Sequence, residues 1–149
     1  MVFQSETVRL TLPFDETKWR ALTNYQGSFV TLFDREGAPE PGGTSSLAVM
    51  LYPKNELPMR QIYLNTVLEL RQMLTDFAVT PLHIGEDACE FEYEGNVQNL
   101  RMRFCQRIFR DELICSATGG CAAAIAAEQL PRLKELAVQI RISERSVSS

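Results

Sequence analysis

The stretch EFEYEGNVQNLRMRF, Glu90 to Phe104, constrains the fold more than any other part of the chain. Charged and apolar residues alternate on both sides of a Gly-Asn loop. Period-two alternation means β-strand, and two such arms around a turn-forming loop mean an antiparallel hairpin. Glu90, Glu92 and Glu94 share one parity, and Arg101 and Arg103 lie on the second arm. With Gly95 to Gln98 as a four-residue loop, Glu94 opposes Asn99, Glu92 opposes Arg101 and Glu90 opposes Arg103. On the other parity, Tyr93 opposes Leu100, Phe91 opposes Met102 and Cys89 opposes Phe104. A two-residue loop keeps the same two faces. A one-residue slip would put the charges in the core, so the parity is strongly specified. The expectation is a hairpin whose apolar face lies under helices and whose Glu–Arg face meets water or a partner.

The elements around the hairpin follow from the same patterns. Thr7–Leu12 alternates and ends at Pro13, as a strand does. Asp15–Gln26 is polar and irregular, and Ser28–Phe33 reads as a second strand. The Gly- and Pro-rich stretch around residues 37–46 reads as a flexible loop. Leu47–Tyr52 is apolar on both parities, which predicts a strand buried on both faces. Pro58 suits the first turn of a helix. The stripe Met59, Tyr63, Val67, Leu70, Leu74 and Phe77 extends that helix to Phe77. Gly85-Glu86 and Asp111-Glu112 read as turns, and Leu113–Thr118 as the last strand, broken by Gly119-Gly120. A second helix spans Ala122 to Gln139, with a kink or break expected at Pro131. Residues 1–142 form one domain, and 143–149 a polar, disordered tail. The fold class is α+β: a twisted, mainly antiparallel sheet packed by two main helices.

Composition closes off several functions. A chain of 149 residues can bury a sizeable core, with roughly 70% of its unfolded surface removed from water. The net charge of −4 argues against a nucleic-acid partner, since phosphate contacts need clustered Lys and Arg. No apolar run is long enough to insert into a membrane. The N-terminus lacks a basic start followed by an apolar block, so the expectation is a cytoplasmic protein, or a periplasmic one if a leader has been removed.

Catalytic patterns are missing. The sequence has no dinucleotide or P-loop signature, no HExxH and no GxSxG. His83 is the sole histidine, which rules out a histidine metal cluster. Cys89, Cys105, Cys115 and Cys121 have no CxxC spacing and read as buried reduced thiols, with a disulfide as the lesser alternative. The glutamates could be paired acid–base carboxylates, but neighbouring arginines would hold them ionised. No catalytic residue, cofactor or metal is expected. A small enzyme and a type III secretion chaperone are weaker readings; the latter family usually begins with a helix, and this chain begins with a strand.

The order of elements resembles a known family. VRLTLPFDETKW, a proline-opened helix, GEDACEFEYEG, QRIFRDELICSATG and the closing LKELAVQI helix occur in the order seen in the PsbP/DcrB-like superfamily. The resemblance implies non-enzymatic binding work. Among its members the chain looks most like the Eag-type chaperones of type VI secretion, which are homodimers that shield apolar segments of effectors. The expected partner is therefore a secreted effector or membrane-protein segment, and a homodimer is expected. The alternative is a periplasmic or lumenal accessory protein. Candidate partner-binding residues are Glu90, Glu92, Arg101 and Arg103 as the polar side of one sheet face, with Met50, Tyr52 and Phe109. Ser28–Phe33 and Leu47–Tyr52 would supply its apolar side.

Overall fold

The hairpin at the centre of the sequence is also the centre of the sheet. The computed structural model describes residues 1–5, 7–36 and 44–144. Strands β7 (Ala88–Val97) and β8 (Leu100–Arg110) pair antiparallel over their whole length. The turn is Gln98-Asn99, both at positive φ, 49° and 69°. Two left-handed residues match the twist of a two-residue hairpin, and Asn tolerates that conformation. The four-residue loop expected from Gly95 is thus corrected. Glu94 opposes Arg103, Glu90 opposes Arg107 and Asn96 opposes Arg101. The shift is an even number of residues, so the parity of both faces stands.

Five more strands complete a seven-stranded sheet. These are β3 (Trp19–Thr23), β4 (Val30–Asp34), β5 (Ser46–Tyr52), β6 (Thr75–Ile84) and β9 (Ile114–Ala122). The order is β3-β4-β5-β9-β8-β7-β6. A separate three-stranded sheet joins β1 (Val2–Gln4), β2 (Val8–Thr11) and β10 (Arg141–Glu144). Ser143 and Glu144 pair with Arg9 and Val8, so the strand enters the segment expected as tail. Residues 145–149 of that tail, and 37–43 of the Gly/Pro-rich loop, lie outside the described residues.

Two helices cover the large sheet unequally. Helix α1 (Met59–Met73) lays Met59, Tyr63 and Val67 on Cys89, Phe91, Tyr93 and Ile108. Helix α2 (Ala126–Ala137) lays Leu130, Leu133 and Leu136 on the other face, against Leu47, Val49, Cys105 and Ala117. Register assigns the faces: Met50, Ser116, Ile108 and Cys89 follow one another across four strands. Even-numbered residues of β5, β8 and β9 therefore share α1's face, and odd-numbered ones face α2. Phe3, Leu10 and Ile142 of the small sheet, and Leu12 just past β2, join the α2 core.

Several expected boundaries move, each for a physical reason. Helix α1 stops at Met73, because Leu74 turns extended at φ −114° and ψ 137°. Leu74 and Phe77 keep helical spacing, yet Phe77 and Val79 already alternate inward as strand residues. Irregular structure was expected for Asp15–Gln26. Instead β3 forms there, with Trp19 buried and Arg20 exposed. Gly119 and Gly120 do not break the chain. They continue β9, because a Cβ at Gly119 would sit 2.8 Å from Leu133 Cβ, and one at Gly120 2.9 Å from the Phe104 ring. Pro131 lies inside α2; the break comes earlier, at a 3-10 turn over Ala123–Ile125. Strand β5 is buried on one face only: Leu47 and Val49 are fully buried, whereas Tyr52 is 50% exposed.

Candidate functional site

Each helix leaves half of a sheet face open, and the two open halves lie on opposite faces. On the α2 face, beyond the end of α2's cover, lies the Glu–Arg ladder. Arg101 meets Glu94 at 3.4 Å, Arg103 meets Glu92 at 3.2 Å and Arg107 meets Glu90 at 3.3 Å. The first two pairs are diagonal and the third is directly opposed. Lys134 of α2 also ion-pairs with Glu92, so helix and ladder are joined. These are half-exposed pairs, each worth about 0.2–1 kcal/mol. Charge is nearly balanced and locally consumed.

On the α1 face the open half is a groove of about 590 Å³. One wall is the side of α1 bearing Ile62, Thr66, Leu70 and Met73. The floor is β5, β9 and β8: Ala48, Met50 and Tyr52, then Ser116 and Thr118, then Gln106 and Ile108. The sequence explains why it stays open. A helix covering this half would need large apolar residues beneath it, and the floor is instead Ala, Ser and Thr beside Met and Tyr.

Gln106 is the most informative residue of that floor. It is 8% exposed, and its amide nitrogen donates to Ser116 Oγ at 2.8 Å. Among the described residues its Oε1 has no partner. Turning the amide over does not remove the deficit, because the serine hydroxyl can satisfy either end but only one of them. An unmet buried polar atom costs about 1–3 kcal/mol. Gln106 thus leaves an unmet acceptor sealed beneath a floor of mixed apolar and small polar side chains. The signal was legible in the sequence: Leu100, Met102, Phe104 and Ile108 share its parity, and before Arg110 at the strand's end Gln106 is the one polar residue among them.

The structure divides the residues expected in one site. Met50, half-buried, and Tyr52 line the groove. Glu90, Glu92, Arg101 and Arg103 sit on the opposite face, so the expected combination of ladder and apolar strands on one face is corrected. The reason is register, since Met50 and Cys89 share a face and Glu90 follows Cys89. Phe109 is 8% exposed, within the α2 core, and its ring lies 4.5 Å from the Arg107 guanidinium carbon. It is a core residue of this chain rather than a surface one.

Other chemistry is sparse. Burial pushes the Cys89 and Cys105 thiols up to about 11 and that of Cys115 up to about 12. All four cysteines are free and buried. Such thiols stay protonated and are poor nucleophiles and poor metal ligands. Among the described residues no three His, Cys, Asp or Glu side chains gather as a metal site. A cavity of about 30 Å³ beside Arg107 and Lys134 has room for little more than a water molecule. Among the described residues no helix is long and apolar enough to cross a membrane.

Comparison with known proteins gives the fold a name. No family model and no curated protein matches the sequence. Solved structures do match in shape. LpqN of Mycobacterium tuberculosis, described as involved in cell envelope biogenesis, has a TM-score of 0.68 at 11% identity, over 94% of this chain and 86% of that one. PA94 of Pseudomonas aeruginosa, a protein of unknown function described as a putative regulator, has a TM-score of 0.55 at 13% identity, over 91% and 82%. The cyanobacterial PsbP (CyanoP) of Synechocystis sp. PCC 6803 has a TM-score of 0.56 at 9% identity, over 94% and 95%. The chain has a PsbP-like α+β fold. At such identities the likeness extends to the fold alone.

Proposed function

We propose that this chain is a non-enzymatic protein-binding module that shields an apolar segment of a partner protein in the groove between α1 and β5. The observation that supports it is the open groove of about 590 Å³, in which apolar side chains of α1 and β5, Met73 among them at 76% exposed, lie without cover beside small polar ones. A polypeptide segment suits such a mixed surface. Its apolar side chains cover Ala48, Met50 and Ile62, and a polar group of it meets the half-buried Thr118. From Ala48 to Tyr52 the floor extends about 13 Å, a little over two turns of a helical guest. The Glu–Arg ladder on the opposite face keeps the module hydrated and leaves the groove to the guest.

The finer form of the proposal comes from the sequence. The resemblance to Eag-type chaperones makes the guest a segment of a secreted effector or membrane protein, and the work that of a cytoplasmic secretion chaperone or adaptor. The alternative is an accessory role in the cell envelope or a lumen, in keeping with the description of LpqN. A homodimer belongs to the same proposal. Leu64 and Leu68 on the outer side of α1 and Ile84 of β6 are 43%, 57% and 39% exposed, an apolar surface that a second copy would cover. Sedimentation should give a dimer that Leu68→Glu dissociates; monomer alone would overturn that part.

The test of the groove is site-specific photo-crosslinking in the native host. A photoreactive residue at Tyr52 lies in the groove, and one at Thr80 lies on the ladder face, opposite Glu92 in register. The expected adduct forms at position 52 only, maps to an apolar stretch of another protein and is lost in Thr118→Phe, which fills the groove. Equal labelling from both positions, or none from position 52, would sink the reading.

A further inference from the structure

One end of the groove is closed by a strap, and a single side chain holds the strap in place. The segment Pro53–Pro58 joins the end of β5 to the start of α1, so it connects the floor of the groove to its wall. Each of its residues is exposed. Asn55 and Leu57 line the groove. Beyond an internal turn, in which Leu57 N–H donates to Asn55 Oδ1 at 3.0 Å, the strap is held to the sheet by Arg110.

Arg110 is the last residue of β8 and opposes Ile114, on the groove face. Its side chain is 11% exposed. Nη1 donates to Asn55 O at 2.9 Å and to Leu57 O at 2.7 Å. Nη2 donates to Glu86 O at 3.2 Å, in the β6–β7 turn. Nε lies 3.5 Å from the Asp87 carboxylate, and the Arg110 backbone N–H donates to Asp87 O at 2.7 Å. One guanidinium therefore ties strap and turn together across the end of the sheet. Its fork of donors is what allows this; a lysine would present a point charge to the same carbonyls.

We propose that Arg110 is the positioning residue of the groove. It fixes where α1 begins relative to β5, and so sets the width of the groove at the Tyr52 end. The α1 wall depends on it: α1 is anchored just past its far end by Leu74 packed on Gly95, and at its near end by the strap. The inference gives the guest-binding reading its positioning element, and in that functional sense rests on it. The latch itself is tested without a guest.

The test compares the wild-type protein with Arg110→Met, which keeps length and loses every donor, and Arg110→Lys, which keeps the charge. Amide hydrogen exchange is followed by segment, with the neutral dye Nile red as an apolar probe. In Arg110→Met, amides of residues 54–62 should exchange faster by about tenfold or more, while those of β5, β9 and α2 keep their rates. Arg110→Lys should show a smaller acceleration confined to the same segment, and serves as the deciding variant if Arg110→Met does not fold. Unchanged strap exchange, or a uniform acceleration across the whole chain, would overturn the latch. Nile red affinity should fall several-fold in Arg110→Met and in the groove-filling Thr118→Phe. Dye binding indifferent to Thr118→Phe would remove the apolar groove while leaving the latch to its exchange result.

Discussion

Arg101 donates a 2.7 Å hydrogen bond from Nη1 to the main-chain oxygen of Asp76. Asp76 lies in the left-handed region at φ 50°, in the bulge where α1 gives way to β6. The other arm of the guanidinium meets Glu94, and Asn96 Nδ2 donates to Asp76 Oδ2 at 3.1 Å. A residue that reads in the sequence as one rung of a charge ladder also fixes the joint between helix and strand.

The double substitution Arg101→Glu with Arg103→Glu should therefore lower stability by about 1–3 kcal/mol, from lost half-exposed pairs and one charge-assisted bond. Guest binding in the groove should be preserved, because the ladder is on the other face. Chemical denaturation and the Tyr52 crosslink measure the two effects separately. Loss of the crosslink in a folded variant would count against the division of faces.

Met59 and Leu70 should behave differently. Met59 is 2% exposed and belongs to the α1 core, so Met59→Ala should cost about 2–5 kcal/mol. Leu70 is half-buried and faces the groove. It also packs against the α1 core, so its replacement by Ala should cost about 1–2 kcal/mol, less than Met59→Ala, and weaken the guest as well. Equal costs would mean that Leu70 belongs to the core.

Gly119 sits under α2. A methyl there meets Leu133 Cβ at 2.8 Å and Cys105 Sγ at 2.9 Å, both fully or nearly fully buried. Gly119→Ala should cost about 1–3 kcal/mol by overpacking. Gly120→Ala meets only the ring of half-buried Phe104, which can swing, and should cost less. Thermal unfolding of the pair checks the order.

The cysteines make stability pH-dependent on the alkaline side. Their thiols are raised by burial to about 11 for Cys89 and Cys105 and about 12 for Cys115. Between the unfolded value near 9 and these folded values, the folded state holds protons that the unfolded state has released. Stability is therefore complete below about pH 9 and falls as pH rises, by about 1.4 kcal/mol per pH unit for each such thiol, levelling off for each as pH passes its folded value. Denaturation midpoints across that range measure it. Alkylation at pH 8 should be slow in the native protein and fast in urea; rapid native alkylation would contradict the burial.

What the sequence made legible was local and periodic. Alternation placed Phe91 and Tyr93 on the covered face and the glutamates on the other, and Pro58 marked the start of α1. The missed parts depend on tertiary partners. Strands β1, β3 and β10 are short and partly polar, and pairing defines them more than their own pattern. Gly119-Gly120 reads as a breaker along the chain, while in space it makes room for Leu133 and Phe104. The candidate site divided in the same way. Met50 and Tyr52 stood out by apolar character, but the strand was expected to be buried on both faces, and the open side appears only in the structure. The separation of groove from ladder depends on register across four strands, which no single segment contains.

The unequal cover of the sheet also divides its cooperativity. The α1 core and the α2 core are separate clusters on opposite sides of the same strands. The main chain and ladder hydrogen bonds of shared strands, chiefly β8 and β9, connect them, with the Lys134–Glu92 ion pair from α2 to β7. Helix α1 could then detach in a sub-global opening that exposes Cys89, Phe91 and Tyr93 while the α2 core and the small sheet stay assembled. Such an opening would leave the larger core as a scaffold from which α1 re-forms, and the chain would behave as two folding units that share one set of strands.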